Sequence, residues 1–264
     1  MGLMLSISNI AWEEKDDICV YEKLKKFKYN GVEIAPTRVF GEHPYDKIQN
    51  AKDFSDKLLK KYSLKVSSIQ SIWYGKNEKI FGSQGEREEL IKYTQKAIIF
   101  AESIGAGNLV MGCPKNRSIS SSKDYSVAIA FFRELGEFAH EHNTVLAIEA
   151  NPEIYNTNFI NTTQQAIKMV REVDSKGFLL NLDVGTMINN YEDINILDGN
   201  IDIINHVHIS EPYLKCVKER ELHKKLINWL KANDYKKYLS IEMAKQENIN
   251  ILTSVMEYIM NLCD

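Results

Sequence analysis

Eight short β-rich apolar runs, each separated from the next by a segment of helical periodicity, constrain this chain more than any other feature. The runs are Leu3–Ile10, Gly31–Ala35, Val66–Tyr74, Asn108–Gly112, Val145–Ala150, Phe178–Val184, Ile203–Ile209 and Tyr238–Met243. Between them apolar residues recur every three or four positions, as in Ile48, Ala51, Phe54 and Leu58, in Leu90, Ala97, Ala101 and Ile104, and in Phe131, Leu135 and Phe138. Asn or Gly stands before several runs, at Asn30-Gly31, Gly105, Gly107, Asn143 and Gly177, where a left-handed residue can close the helix. Eight strands in 264 residues leave about 33 residues per βα unit, the size expected of a closed parallel barrel. An open doubly wound sheet is the rival. Its usual Gly-rich turn after the first strand is replaced here by Ser8-Asn9-Ile10-Ala11-Trp12, and no phosphate-loop motif occurs. The sequence therefore predicts an α/β protein, a (β/α)8 TIM barrel forming a single domain over residues 1–264. The one loose stretch, Ser-rich Asn116–Asp124, is too short to divide it.

Composition narrows the function. The chain carries 33 Lys and Arg against 36 Asp and Glu, a formal charge of −3, so it has no global attraction for nucleic acid or anionic membranes. Cys19, Cys113, Cys216 and Cys263 lie far apart, which suggests neither a disulfide framework nor a zinc ribbon and fits a reducing compartment. The run Met1–Trp12 has no basic leader or small-residue cleavage site, and no apolar stretch approaches the roughly 18 residues of a membrane helix. A cytoplasmic protein is expected.

Active sites of such barrels lie at the C-terminal ends of the strands. The last four runs each close on an ionisable residue: Glu149, Asp183, His208 and Glu242. Their separations are each close to one βα unit, so the four should meet at one end of neighbouring strands. Three carboxylates and an imidazole repel one another in a barrel mouth unless a cation compensates them. One divalent metal ion, Mn²⁺, Mg²⁺, Co²⁺ or Zn²⁺, suits that oxygen-rich set. His206, two residues before His208, points to the same side but deeper and reads as a hydrogen-bonded core histidine.

These residues lie in motifs that resemble the xylose isomerase-like barrels, the sugar-phosphate isomerases and epimerases that include the tagatose and psicose epimerases. The matching pieces are Ala147-Ile-Glu-Ala-Asn-Pro152, Asn161-Thr162, Leu182-Asp-Val-Gly185, His206-Val-His-Ile-Ser-Glu211, Ser240-Ile-Glu242 and the early Gly31-Val-Glu-Ile34. The resemblance implies that Glu149, Asp183, His208 and Glu242 bind one metal ion, and that Glu149 and Glu242 are the catalytic acid and base on the two faces of a bound sugar. Thr186 departs from it, standing where the ketose epimerases carry a histidine. A metal that polarises a carbonyl and its neighbouring hydroxyl acidifies the adjacent C–H. Return of the proton gives epimerisation or aldose–ketose isomerisation, whereas loss of a β-hydroxyl gives dehydration.

Loops after the earlier strands should contact substrate, here a sugar or sugar phosphate. The candidates are Trp73 as an apolar wall, Lys115, Arg117 and Arg38 as anion holders, Asn181 to orient a hydroxyl, and Glu211, with Glu33 and Gln70 in the same group. Cys113 has no adjacent histidine and reads as a small strand-end residue, not a nucleophile. Other readings are a dehydratase of a hydroxy-ketone, a non-catalytic sugar-binding barrel and an apurinic-site endonuclease. The last needs a multi-histidine zinc cluster, and the chain has only six histidines, two of them (His140 and His142) near a helix end. A homo-oligomer is possible.

Overall fold

The computed structural model describes residues 2–121 and 124–263; Ser122 and Lys123 of the Ser-rich stretch lie outside the described residues. Eight parallel strands, β1 (Met4–Ile7), β2 (Gly31–Ile34), β3 (Lys65–Ile69), β4 (Leu109–Met111), β5 (Leu146–Glu149), β6 (Phe178–Asp183), β7 (Ile204–Ile209) and β8 (Tyr238–Ile241), form one sheet. Its order runs β1-β8-β7-β6-β5-β4-β3-β2, so each neighbour follows in sequence and β1 returns beside β2. That seam is joined by a parallel bridge between Ser8 and Glu33 and by the Asn30 N–H donating to the Leu5 carbonyl at 2.9 Å. The result is a (β/α)8 TIM barrel.

Two strands stop short of their apolar runs. The Ser8 hydroxyl caps a 3-10 turn at Asn9–Ala11 and ends β1, while Ser71, at φ 54°, turns the chain out of the sheet after β3. Around the barrel lie α1 (Asp17–Lys26), α2 (Pro36–Phe40), α3 (Ile48–Lys57), α4 (Gln84–Ser103), α5 (Asp124–Glu141), α6 (Thr163–Val173), α7 (Val184–Asn189), α8 (Glu221–Ala232) and α9 (Ile249–Cys263). Reciprocal capping boxes, Ser83 with Glu86 and Thr162 with Gln165, start α4 and α6 by satisfying N–H groups that the first turn leaves free. Of the expected left-handed closers, Asn143 (φ 54°) and Gly105 (φ 68°) adopt that conformation. Gly177 serves differently: a Cβ there would sit 2.0 Å from the Gly136 carbonyl, so the residue lets α5 press against the entry to β6.

The apolar core lies between sheet and helices, where Ile34, Ile69, Ile148, Leu180 and Val207 meet Leu24, Leu58, Ala97, Phe132, Val170 and Leu226, all buried. The barrel interior is polar. Hydrogen bonds between strands that are not neighbours must cross that interior. They include Ser6 to Ser67 (2.5 Å), Asn205 to Asn108 (2.7 Å) and His208 to Glu33 (3.0 Å). Barrels of this type ordinarily fill the same space with branched apolar side chains. Here a column of paired polar groups leads up to the C-terminal mouth.

Candidate metal and catalytic site

Glu149 and Asp183 end β5 and β6, His208 is the penultimate residue of β7, and Glu242 follows β8 directly. Parallel pairing sets Asp183 level with His208 and Glu149 level with Asn181. Each of the four offers one ligand atom, and these atoms lie within 4.8 Å of one another. The His208 Nδ1 faces the carboxylates, 3.0 Å from Glu149 Oε2 and 3.3 Å from Glu242 Oε2.

Each acid is held differently. Asp183 also caps α7: its Oδ2 accepts the Thr186 N–H (2.7 Å), and its Oδ1 accepts the Ser210 hydroxyl. The Thr186 hydroxyl lies 2.8 Å from both Asp183 Oδ2 and the Ala150 carbonyl. Gly185 keeps this corner open, because a Cβ there would lie 2.9 Å from Ser210 Oγ and 3.2 Å from Asp183 Oδ2. Glu149 accepts Asn151 Nδ2 on Oε1 (3.0 Å) and Asn181 Nδ2 on Oε2 (2.7 Å). The Glu242 carboxylate has only the imidazole as a hydrogen-bonding partner among the described residues.

The electrostatics are those of a site short of positive charge. Burial, with Glu149 beside it, pushes the Asp183 carboxyl up to about 6. Burial likewise pushes Glu242 up to about 7 against the pull of His208. For His208, burial favours the neutral ring, but Glu33 and Glu242 outweigh it and hold the imidazole well above its ordinary value. Protons on these groups take the place of a cation, and a divalent ion among oxygen ligands and one nitrogen would displace them. The donor set fits such an ion. Above it opens a cavity of about 190 Å³ lined by Pro114, Glu149, Asn151, Tyr155, Asp183, Ser210, Glu211, Leu214 and Glu242.

The residues expected to touch substrate fall in several places. Glu211 lines the cavity, but its two oxygens are bound by Arg220 at 2.6 and 2.5 Å. Asn181 is fully buried beneath the carboxylates and bonds Glu149. Arg117 does not face solvent as a phosphate holder would; it is fully buried, and its Nη2 donates to the Glu149 carbonyl (2.8 Å) and to Asn151 Oδ1 (2.6 Å). Burial brings its guanidinium down to about 10. Arg38 lies elsewhere, paired with Asp17 at 2.8 Å, stacked 5.6 Å over Trp12 and lining a separate cavity with Tyr21 and Phe54. Trp73 packs against Phe131, and its indole N–H donates to Thr94 Oγ1 at 2.8 Å. It edges a cleft beside the cavity with exposed Lys115 and Cys113, whose thiol burial pushes up to about 12.

Other groups acquire a clearer place. Glu33, grouped in the sequence with loop contacts, is fully buried under His208, and Gln70, also buried, bonds it from the side. His206 is buried, with Nε2 3.3 Å from Glu33 Oε2. His142 pairs with Glu102 at 2.6 Å and His223 packs against Tyr258, so these two stand apart from the mouth. Tyr155, Leu214 and Ser210 were not singled out by sequence reasoning. Ser210 had a signal, lying two residues beyond His208 on the inward face; Tyr155 and Leu214 end short 3-10 turns in the loops beyond β5 and β7 and had none.

The chain belongs to the xylose isomerase-like TIM barrel family, whose sequence profile matches residues 21–260. Among solved structures, a 3-keto-D-glucoside 4-epimerase from E. coli is similar at TM-score 0.79 and 18% identity, over 99% of this chain and 100% of its own. D-psicose 3-epimerase from Clostridium cellulolyticum H10 gives TM-score 0.79 at 14% identity, over 99% of this chain and 98% of its own. A probable 3-DHS dehydratase from Bacillus anthracis gives TM-score 0.72 at 16% identity, over 98% and 99%. These likenesses establish the fold. No curated protein matches the chain by sequence. Among the described residues, no helix is long and apolar enough to cross a membrane.

Proposed function

We propose that the protein is a divalent-metal-dependent isomerase or epimerase of an uncharged sugar or related polyhydroxy carbonyl compound. The observation that carries this reading is the convergence of Glu149, Asp183, His208 and Glu242 within 4.8 Å, with the three carboxylates lining one small cavity. These four would hold the metal, which when bound would polarise a substrate carbonyl and its neighbouring hydroxyl. Glu242 and Glu149 are the proton carriers. Glu242 follows β8 directly, and its carboxylate meets only the His208 imidazole, which leaves an oxygen turned toward the cavity to take and return a proton. Glu149 presents a second carboxylate, held in place by Asn151 and Asn181. Two carboxylates allow a proton to leave one face of a carbon and another to arrive from the opposite face, which inverts it.

The cavity lining argues for an uncharged substrate. Among the described residues it contains four carboxyl side chains and no Lys or Arg. A phosphate there would meet repulsion, since Arg117 is buried below, Arg220 is engaged with Glu211, and Lys115 lines the neighbouring cleft. The test is incubation of the Mn²⁺-loaded protein with a panel of ketoses in D2O. Deuterium should enter the carbon beside the carbonyl of at least one, and Glu242→Gln should lower the rate at least 100-fold. Metal-dependent binding of a sugar with no exchange into any panel member would reject the enzymatic reading.

A further inference from the structure

Glu33 sits in the barrel interior, fully buried, on a strand that contributes none of the four candidate ligands. The His208 Nε2 lies 3.0 Å from its Oε2, across the barrel from β7 to β2, and an ionised carboxylate there can only accept. Its other oxygen, Oε1, accepts Gln70 Nε2 at 3.0 Å, and the same amide reaches the Ser8 hydroxyl. His206 closes the far side, with its ring edge-on to His208 at 5.4 Å. A buried carboxylate is costly unless its lone pairs are satisfied, and both oxygens here have partners, from β7 and from the end of β3.

A neutral imidazole has one proton and one lone pair. If Nε2 carries the proton toward Glu33, the lone pair must lie on Nδ1, the nitrogen that faces Glu149 and Glu242. We propose that Glu33 is a positioning residue that fixes His208 in the Nε2–H tautomer and aims Nδ1 at the metal. The proposal rests on the metal-site reading above and assigns a role to a residue outside the ligand set. Carboxylates behind ligating histidines orient the ring and raise its basicity, and their loss commonly weakens metal binding by about 10- to 100-fold. Glu33, His206 and His208 also lie close enough together to form a three-residue cation cluster. Occupying it together with the mouth would require metal bonds from both nitrogens of the one His208 ring, so the proposal predicts a single ion.

The experiment uses the full chain loaded with diamagnetic Zn²⁺. In the unsubstituted protein, one Zn²⁺ should bind per chain, and ¹H–¹⁵N spectra should show a slowly exchanging, downfield Nε2–H on His208. Glu33→Gln should shift that resonance upfield, speed its exchange and weaken Zn²⁺ binding 10- to 100-fold in chelator competition, with a folded circular dichroism spectrum. Gln70→Ala, which loosens Glu33 without touching His208, should weaken binding about threefold and decides the matter if Glu33→Gln does not fold. Unchanged affinity and an unchanged Nε2–H in the folded variants would overturn the role of Glu33 while leaving the metal site intact. Binding of two ions per chain would overturn it as well. Failure of the unsubstituted protein to bind Zn²⁺ would instead remove the metal-site reading on which it rests.

Discussion

Acidification should release a divalent ion from the barrel mouth, and the size of the effect follows from two side chains. Without metal, Glu242 titrates near 7 and Asp183 near 6, both raised first of all by burial. A ligand must shed its proton to bind, so below each value affinity falls tenfold per pH unit for each carboxyl. Between pH 8 and pH 5 the two together predict a loss of about 1000-fold, and His208 steepens the dependence further. Stability without metal runs the other way. Both carboxyls bind protons more tightly when folded, so their contribution is complete below their ordinary values of 4.5 and 3.8 and disappears as pH rises through about 7 and 6. For Glu242 alone this amounts to about 3 kcal/mol. Chelator competition at pH 5, 6, 7 and 8, paired with thermal unfolding with and without metal, measures both effects. The stabilisation by metal should widen with pH; an affinity that changes less than tenfold across this range would refute the reasoning.

Three further outcomes follow. Gly185→Ala places a methyl group 2.9 Å from Ser210 Oγ and 3.2 Å from Asp183 Oδ2, so equilibrium dialysis should show metal affinity reduced at least tenfold in a protein that still folds. Arg117→Leu strands the Glu149 carbonyl and Asn151 Oδ1 without their donor and should cost about 2–4 kcal/mol in urea unfolding; a change below 0.5 kcal/mol would argue against an anchoring role. Inorganic phosphate at 10-fold over substrate, in metal-buffered solution, should leave initial rates within about twofold, because the described residues of the cavity lining include no Lys or Arg; competitive inhibition would count against an uncharged substrate.

The barrel was legible because its alternation repeats eight times and each repeat carries the same physical message, a short β-branched run and then a helical stripe. Strand ends were less legible. At Ser8 and Ser71 the chain leaves the sheet through local turns that interrupt otherwise continuous apolar runs. The convergence of Glu149, Asp183, His208 and Glu242 could be read from regular spacing, since parallel register carries one strand end to the next. Side-chain direction could not. Arg117 reads in sequence as a loop cation that could hold a substrate anion, yet it turns inward to tie the β4–α5 connection to β5. Glu33 is one letter in an apolar run, and its link to His208 spans the barrel between residues 175 positions apart. A polar interior of this kind is built from cross-barrel pairs, which no local period records.

The most direct test of the account is diffraction from a Mn²⁺-loaded crystal at a wavelength where manganese scatters anomalously. One peak is predicted, about 2.0–2.4 Å from His208 Nδ1 and from oxygens of Glu149, Asp183 and Glu242. A peak elsewhere, or none at full manganese saturation, would contradict it.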